Sequence, residues 1–257
     1  MTLPVFLVAT EALRHDLITL DGDEARHAHV KRVRVGEQVL LTDGLGAGAE
    51  CEVVSVAKAA VDCAVLVRRV APPAVPRLTV VQAIPKGEHA DRAVDLLTEV
   101  GADAIVPWMA ARNVVQWRGD KTAKGVARWR AVATASAKQA RRLRFPDVSH
   151  VHCTDEVVDL VREAGLSLVL HESASEPLAV VLDGFGRDSP PDMGHDGLGV
   201  EDVVILVGPE GGITDVELTA LAEAGGRVVG MGPTVLRSSS AGTVAAALVL
   251  SHTARWR

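Results

Sequence analysis

The amino-acid sequence predicts an α/β protein in which a small β-rich unit precedes a mostly parallel sheet covered by helices on both faces. Three observations predict it. The opening residues carry short apolar runs separated by Gly- and Asp-rich turns. A stretch through Pro72, Pro73 and Pro76 then interrupts any ladder, because proline has no amide to donate. Beyond it, buried-strand runs alternate with helical periodicity, the rhythm of a parallel sheet built from crossover units. The division this implies is 1–72 for the β-rich unit and 73–257 for the α/β unit.

Each element follows from local pattern. Residues 39–44, 51–56 and 61–67 are the strand candidates of the first unit, as in a small barrel. Residues 78–84 form a buried-strand run. Ala93, Leu96, Leu97 and Val100 then recur at i, i+3, i+4 and i+7, and Gly101 supplies a C-cap. Residues 104–107 are the next strand, and a longer helix over 124–144 turns Val126, Trp129, Val132 and Ala133 inward. Residues 166–170 and 203–207 are further apolar strands; between them, residues 183–202 are rich in Gly, Pro and Asp and read as a mobile surface insert. Thr214 and Glu217 have capping-box spacing, so a helix begins at Asp215, with Leu218, Leu221 and Ala222 as its apolar stripe. A short strand at 227–229 and a helix over 240–254, dense in Ala, Val and Leu, complete the pattern.

Composition narrows the class. A net charge of −6 argues against indiscriminate nucleic-acid binding, although local basic clusters matter more than the sum. No apolar run approaches the roughly 20 residues that span a bilayer, so no membrane partner is expected. Residues 1–4 lack the basic and apolar stretches of a signal peptide. Cys51, Cys63 and Cys153 are odd in number and not at metal-ligand spacing. They point to reduced thiols in a cytoplasm, with neither a disulfide framework nor a metal site.

Val207-Gly208-Pro209-Glu210-Gly211-Gly212 breaks out of an apolar strand directly before a helix start. A second glycine loop, Gly230-Met231-Gly232-Pro233-Thr234-Val235-Leu236, follows the short strand at 227–229. Both fall at the carboxyl edge of the sheet, where α/β folds hold ligands. Neither loop carries a phosphate-binding pattern, and Glu210 would repel a phosphate; a cationic or zwitterionic ligand suits it better. Taken alone, a glycine turn is more often a tight connection that relieves positive φ than a ligand site. The second loop leads into Arg237 and three hydroxyls, Ser238, Ser239 and Ser240, of which one could be a simple N-cap.

These two loops resemble those of the RsmE-type ribosomal RNA uridine-N3 methyltransferases, a family of the knotted, S-adenosylmethionine-dependent SPOUT class. Ala83-Ile84-Pro85-Lys86-Gly87, Leu97-Thr98-Glu99-Val100-Gly101, Arg112-Asn113-Val114-Val115 and His171-Glu172 match it in the same order. The stretch from His27 to Gly44 is similar to the family's PUA-like RNA-binding domain. The resemblance implies a C-terminal trefoil-knotted methyltransferase domain behind a PUA-like β-barrel. It implies S-adenosyl-L-methionine bound by Leu170, His171, Gly208, Glu210, Gly211, Gly212, Met231, Gly232, Leu236 and Ser240. It further implies 16S ribosomal RNA in the small ribosomal subunit as partner, and a homodimer.

RNA binding needs cations along a face. Arg26, Lys31, Arg32 and Arg34 form one cluster, and Lys138, Arg141, Arg142 and Arg144 another. Each also reads as a solvated surface or a favourable helix end; Arg112 joins the set through the family motif. Aromatics are scarce, and Trp108, Trp117 and Trp129 are as easily core residues. In the chemistry, uridine N3 must lose its proton, and charge spreads to the flanking carbonyls. Arg237 is the candidate to stabilise it. The family usually continues Leu-Arg-Thr-Glu-Thr-Ala, whereas here Ser239 replaces the acid. Glu210 and His171 are therefore the alternative proton acceptors. Two rivals stand beside this reading: a knotted methyltransferase acting on a tRNA base or ribose, and an RNA-binding assembly factor without catalysis.

Overall fold

The computed structural model describes residues 3–187 and 199–256. The chain divides into two compact units. The first holds the residues up to Pro73 together with Thr134–Phe145; the second holds Ala74–Ala133 and the residues from Pro146 onward.

In the first unit, β1 (Val5–Leu7), β2 (Leu17–Leu20), β3 (Gln38–Thr42), β4 (Ala47–Ala57) and β5 (Ala60–Val70) form one sheet in the order β1-β3-β4-β5-β2. Only the β1–β3 pair is parallel. Register shifts at Glu50/Cys51 and Val53/Ser55 mark bulges in the long β4–β5 hairpin, which bend and twist the sheet over its core. Helix α1 (Gly22–Val30) contributes buried Ala25 and Ala28. Its alanine-only inner face leaves no large apolar stripe, which is why periodicity did not reveal it. The 134–145 segment packs in the same unit. The carbonyl of Leu143 accepts from Gly46 N at 2.9 Å and Thr42 Oγ1 at 3.2 Å, and Lys138 pairs with Glu24 of α1.

The second unit is built on six parallel strands. They are β6 (Arg77–Ala83), β7 (Ala104–Trp108), β8 (Asp147–Val148), β9 (Leu166–Leu170), β10 (Asp202–Val207) and β11 (Arg227–Val229), in the order β11-β9-β10-β6-β7-β8. Alternate residues feed two separate cores, as the pleat requires. Leu78, Val80, Val203, Ile205 and Val207 pack with α2 (His89–Val100), α5 (Leu178–Arg187) and α7 (Ser238–Ser251). Val81, Ala83, Val204 and Leu206 pack with α4 (Thr154–Glu163) and α6 (Asp215–Glu223) on the other face. Trp129 of α3 (Asp120–Gln139) is fully buried in the first core and Trp108 in the second, so neither offers a plane to RNA bases.

Several boundaries differ from the sequence expectation. Helix α3 stops at Gln139, and the chain turns through Arg141 at φ 55°, so Arg141, Arg142 and Arg144 lie beyond the helix rather than on its last turn. The stretch expected to be a mobile insert begins inside α5, because Leu178, Val181 and Leu182 at i, i+3 and i+4 bury in the core. Residues 188–198 of that stretch lie outside the described residues. Helix α7 starts at Ser238, two residues ahead of the expected 240. Among the described residues no helix is long and apolar enough to cross a membrane.

Candidate functional site

Parallel pairing brings the ends of three strands level: Leu170 lies opposite Val207 on one side and Val229 on the other. The loops that follow β9, β10 and β11 therefore open side by side onto one cleft of about 740 Å³. That volume is in the range of small-molecule sites. Leu170, His171, Gly208, Glu210, Gly211, Gly212, Met231, Gly232, Leu236, Arg237 and Arg112 all line it. Ser240 does not; its hydroxyl donates to the Arg237 carbonyl at 3.2 Å.

Close approach explains the glycine turn. Gly212 takes φ +76° and its N–H returns to the Pro209 carbonyl at 2.9 Å. A Cβ on Gly211 would stand 2.9 Å from the Arg112 carbonyl oxygen, so only glycine lets the 109–113 loop close against the turn. Arg112 Nη1 then donates to the Gly211 carbonyl at 3.4 Å. Glu210 ties the cleft walls together: its Oε1 accepts from Lys86 N at 3.3 Å and from Ser238 Oγ at 3.2 Å.

Behind the turn sits a residue that sequence reading identified only as a cap. Glu217 completes the capping box with Thr214, accepting Thr214 N at 3.0 Å while donating its own amide to Thr214 Oγ1 at 3.3 Å. It is also buried, and its carboxylate takes Ala111 N at 2.8 Å, Thr154 Oγ1 at 3.0 Å and Thr214 Oγ1 at 2.7 Å. Burial alone would raise the Glu217 pKa; the Ala111 and Thr214 amides and the two hydroxyls outweigh it and hold the carboxyl below its ordinary value. One buried anion thus joins the starts of α4 and α6 to the loop that carries Arg112.

The polar groups facing the cleft differ in what they can do. Arg237 is exposed at the N-cap of α7, with no ion-pair or hydrogen-bond partner for its guanidinium among the described residues. His171 Nδ1 receives the Ser173 N–H at 3.3 Å, which makes Nδ1 an acceptor and assigns the ring proton to Nε2. Ser239, at the position where the family usually has an acid, is buried at 5% exposure and is not part of the cleft wall.

The basic residues expected to face RNA fall together in the first unit, apart from Arg112. Lys31, Arg32 and Arg34 are exposed after α1, with Arg32 at φ 57°, and Arg26 pairs with Asp23. In the second stretch Arg141 is exposed, whereas Lys138 is engaged by Glu24, Arg142 Nε by the Arg144 carbonyl at 2.8 Å, and Arg144 Nε by the Ala71 carbonyl at 2.8 Å. The second unit also groups three side chains of metal-ligating type away from the cleft. His150, His152 and Glu156 each offer a ligand atom, and the three lie within 4.8 Å of one another. A His-x-His-x-x-x-Glu pattern in the sequence places them.

Comparison with known proteins agrees with this architecture. Residues 72–250 match the profile of an RNA methyltransferase domain, and residues 20–66 that of an RNA methyltransferase PUA domain. The chain is 42% identical to the ribosomal RNA small subunit methyltransferase E of Mycobacterium bovis, covering 100% of this chain and 94% of that one. It is 29% identical to the protein of the same name from Bacillus subtilis, over 87% and 85% of the two chains. The crystal structure of the Neisseria gonorrhoeae ribosomal RNA small subunit methyltransferase E, bound to S-adenosyl methionine, superposes with a TM-score of 0.82 at 25% identity, covering 97% of this chain and 98% of that one. A PUA domain followed by an α/β RNA methyltransferase domain, with 42% identity over the whole chain to a ribosomal RNA small subunit methyltransferase E, places this chain in that family.

Proposed function

We propose that this protein methylates N3 of a specific uridine in the 16S RNA of the small ribosomal subunit, in the cytoplasm, with S-adenosyl-L-methionine as donor. The observation that carries the reading is the cleft itself, where three strand-end loops place an unpaired arginine and a tethered carboxylate around one small-molecule volume. Its surfaces suit the donor. Leu170, Met231 and Leu236 supply apolar wall, Gly208, Gly211, Gly212 and Gly232 bring backbone to the surface, and Glu210 suits a ligand carrying positive charge. When bound, S-adenosyl-L-methionine supplies an electrophilic methyl group on its sulfonium.

The chain's own residues supply positioning and charge. Arg237 faces the negative charge that spreads to the uracil carbonyls as the N3 proton leaves. Glu210 is the proton acceptor through Oε2, since Oε1 is committed to Lys86 N and Ser238 Oγ. His171 is disfavoured in that role because its Nε2 carries a proton in the bonded tautomer. Ser239 is buried and does not line the cleft, so in this chain the proton acceptor is sought among the residues that do. The exposed basic residues after α1, with Arg141, hold RNA phosphates. The homodimer and the trefoil knot belong to the same reading.

The test is to incubate the protein with labelled donor and small subunits lacking the modification, with transfer RNA as a parallel substrate. Label at a single 16S uridine, mapped to N3 by mass spectrometry, is the expected result. Label on transfer RNA alone would move the reading to the first rival, and no saturable donor binding would sink it.

A further inference from the structure

Away from the cleft, the second unit carries another set of chemistry-bearing side chains. His150 and His152 lie on the segment that extends the sheet beside Trp108. His152 N donates to the Pro107 carbonyl at 2.8 Å, and Met109 N donates to the His152 carbonyl at 2.9 Å. Residues two apart on an extended chain project to one side. The two imidazoles accordingly stack, with centroids 4.3 Å apart and planes inclined by 22°. Glu156 is at the third position of α4. Its Oε2 accepts Cys153 N at 2.8 Å, and its Oε1 lies 3.2 Å from His150 Nε2.

We propose that His150, His152 and Glu156 form a binding site for a transition-metal dication, with Zn²⁺ the best match. Two imidazoles and one carboxylate are a donor set that Zn²⁺ accepts, with water in the fourth position. The outer contacts orient the ligands as metal sites require. His152 Nδ1 lies 2.9 Å from the His150 carbonyl oxygen, which can only accept. Nδ1 therefore holds the ring proton, and Nε2 keeps its lone pair for an ion. The Cys153 amide fixes the Glu156 carboxylate from behind in the same way. A surface ion pair between His150 and Glu156 would by itself contribute little, and it would leave the burial and orientation of His152 without a role.

None of the three residues lines the cleft, so the ion takes no part in methyl transfer. Its effect is structural. It staples the strand extension to the start of α4, next to Thr154, whose hydroxyl donates to Glu217.

The test uses full-length protein stripped with a chelator and titrated with Zn²⁺ in reducing buffer against a competing indicator. One equivalent should bind saturably, and the melting temperature should rise with Zn²⁺ concentration. H150A and E156Q should each weaken binding by about tenfold or more. Both act on exposed side chains, and glutamine keeps the cap on the Cys153 amide, so an unchanged circular-dichroism spectrum shows that the fold survives. Absence of saturable binding overturns the proposal. So does equal affinity in both variants and the parent, or binding that survives in both variants and is lost in C153S.

Discussion

At the scale of single residues, exposure and partnership separate what reacts from what supports. Arg237 is exposed and unpaired at a cleft wall, so its removal should leave the fold intact and act on charge alone. R237A is expected to lower kcat by about a hundredfold or more, the scale of a lost transition-state donor, while donor affinity measured by calorimetry stays within about twofold. Unchanged turnover would remove Arg237 from the chemistry. The thiols make a second contrast. Burial pushes the Cys51 thiol up to about 11, against a smaller opposing pull from Arg68. Cys63 rises to about 12, again chiefly through burial, with Cys51 and Asp62 adding to it. Cys153 is exposed. Alkylation of the native protein at mildly alkaline pH should therefore label Cys153 alone, as read by peptide mass spectrometry, because thiolate is the reactive species.

At the scale of elements, local signals were legible and long-range ones were not. The capping box at Thr214 and Glu217 and the C-cap at Gly101, where φ is 111°, each depend on neighbours a few residues away, and the structure carries both. The other half of Glu217's role reaches Thr154 and Ala111, 63 and 106 positions away, which no periodicity encodes. The same holds for the 134–145 segment, whose partners Gly46, Thr42 and Glu24 are in the first unit. Glu217 gives this level its prediction. Because its folded-state pKa lies below the ordinary 4.5, its stabilising contribution is complete above that value and is lost as pH falls through the lowered one. E217Q cannot satisfy the same donors and should cost about 2–3 kcal/mol at neutral pH. It should also flatten the acid limb of the stability curve measured by urea denaturation. An acid limb identical to the parent's would show that Glu217 is not the group responsible.

At the scale of the whole molecule, the continuous apolar runs of β6 and β10, alternating with helical periodicity, made the two-faced parallel sheet readable, since both faces demand apolar side chains. The pairing order was not readable, because strands that meet edge to edge are far apart in sequence, as with β10 beside β6. One contact closes this unit at the opposite edge from the cleft. Arg255 is bonded to Asp103 through Nη1 at 2.6 Å and Nη2 at 3.2 Å, and to the carbonyls of Pro76 and Gly101 at 2.9 and 2.8 Å. Asp103 also takes Leu78 N at 2.9 Å. Removing one side of a mostly buried pair strands the other charge, so R255A should lower stability by about 3 kcal/mol, read as a reduced urea midpoint. A shift near zero would show that solvent replaces the pair.

The level ending of β9, β10 and β11 has a consequence in time. The third wall of the cleft, Met231 to Arg237, and the helix that anchors it are synthesised after every other part of the site. Until they emerge, Glu210 lacks Ser238 and the cleft lacks its third wall. A nascent chain therefore has no complete cleft until α7 has been made, and ligand competence arrives all at once with that helix.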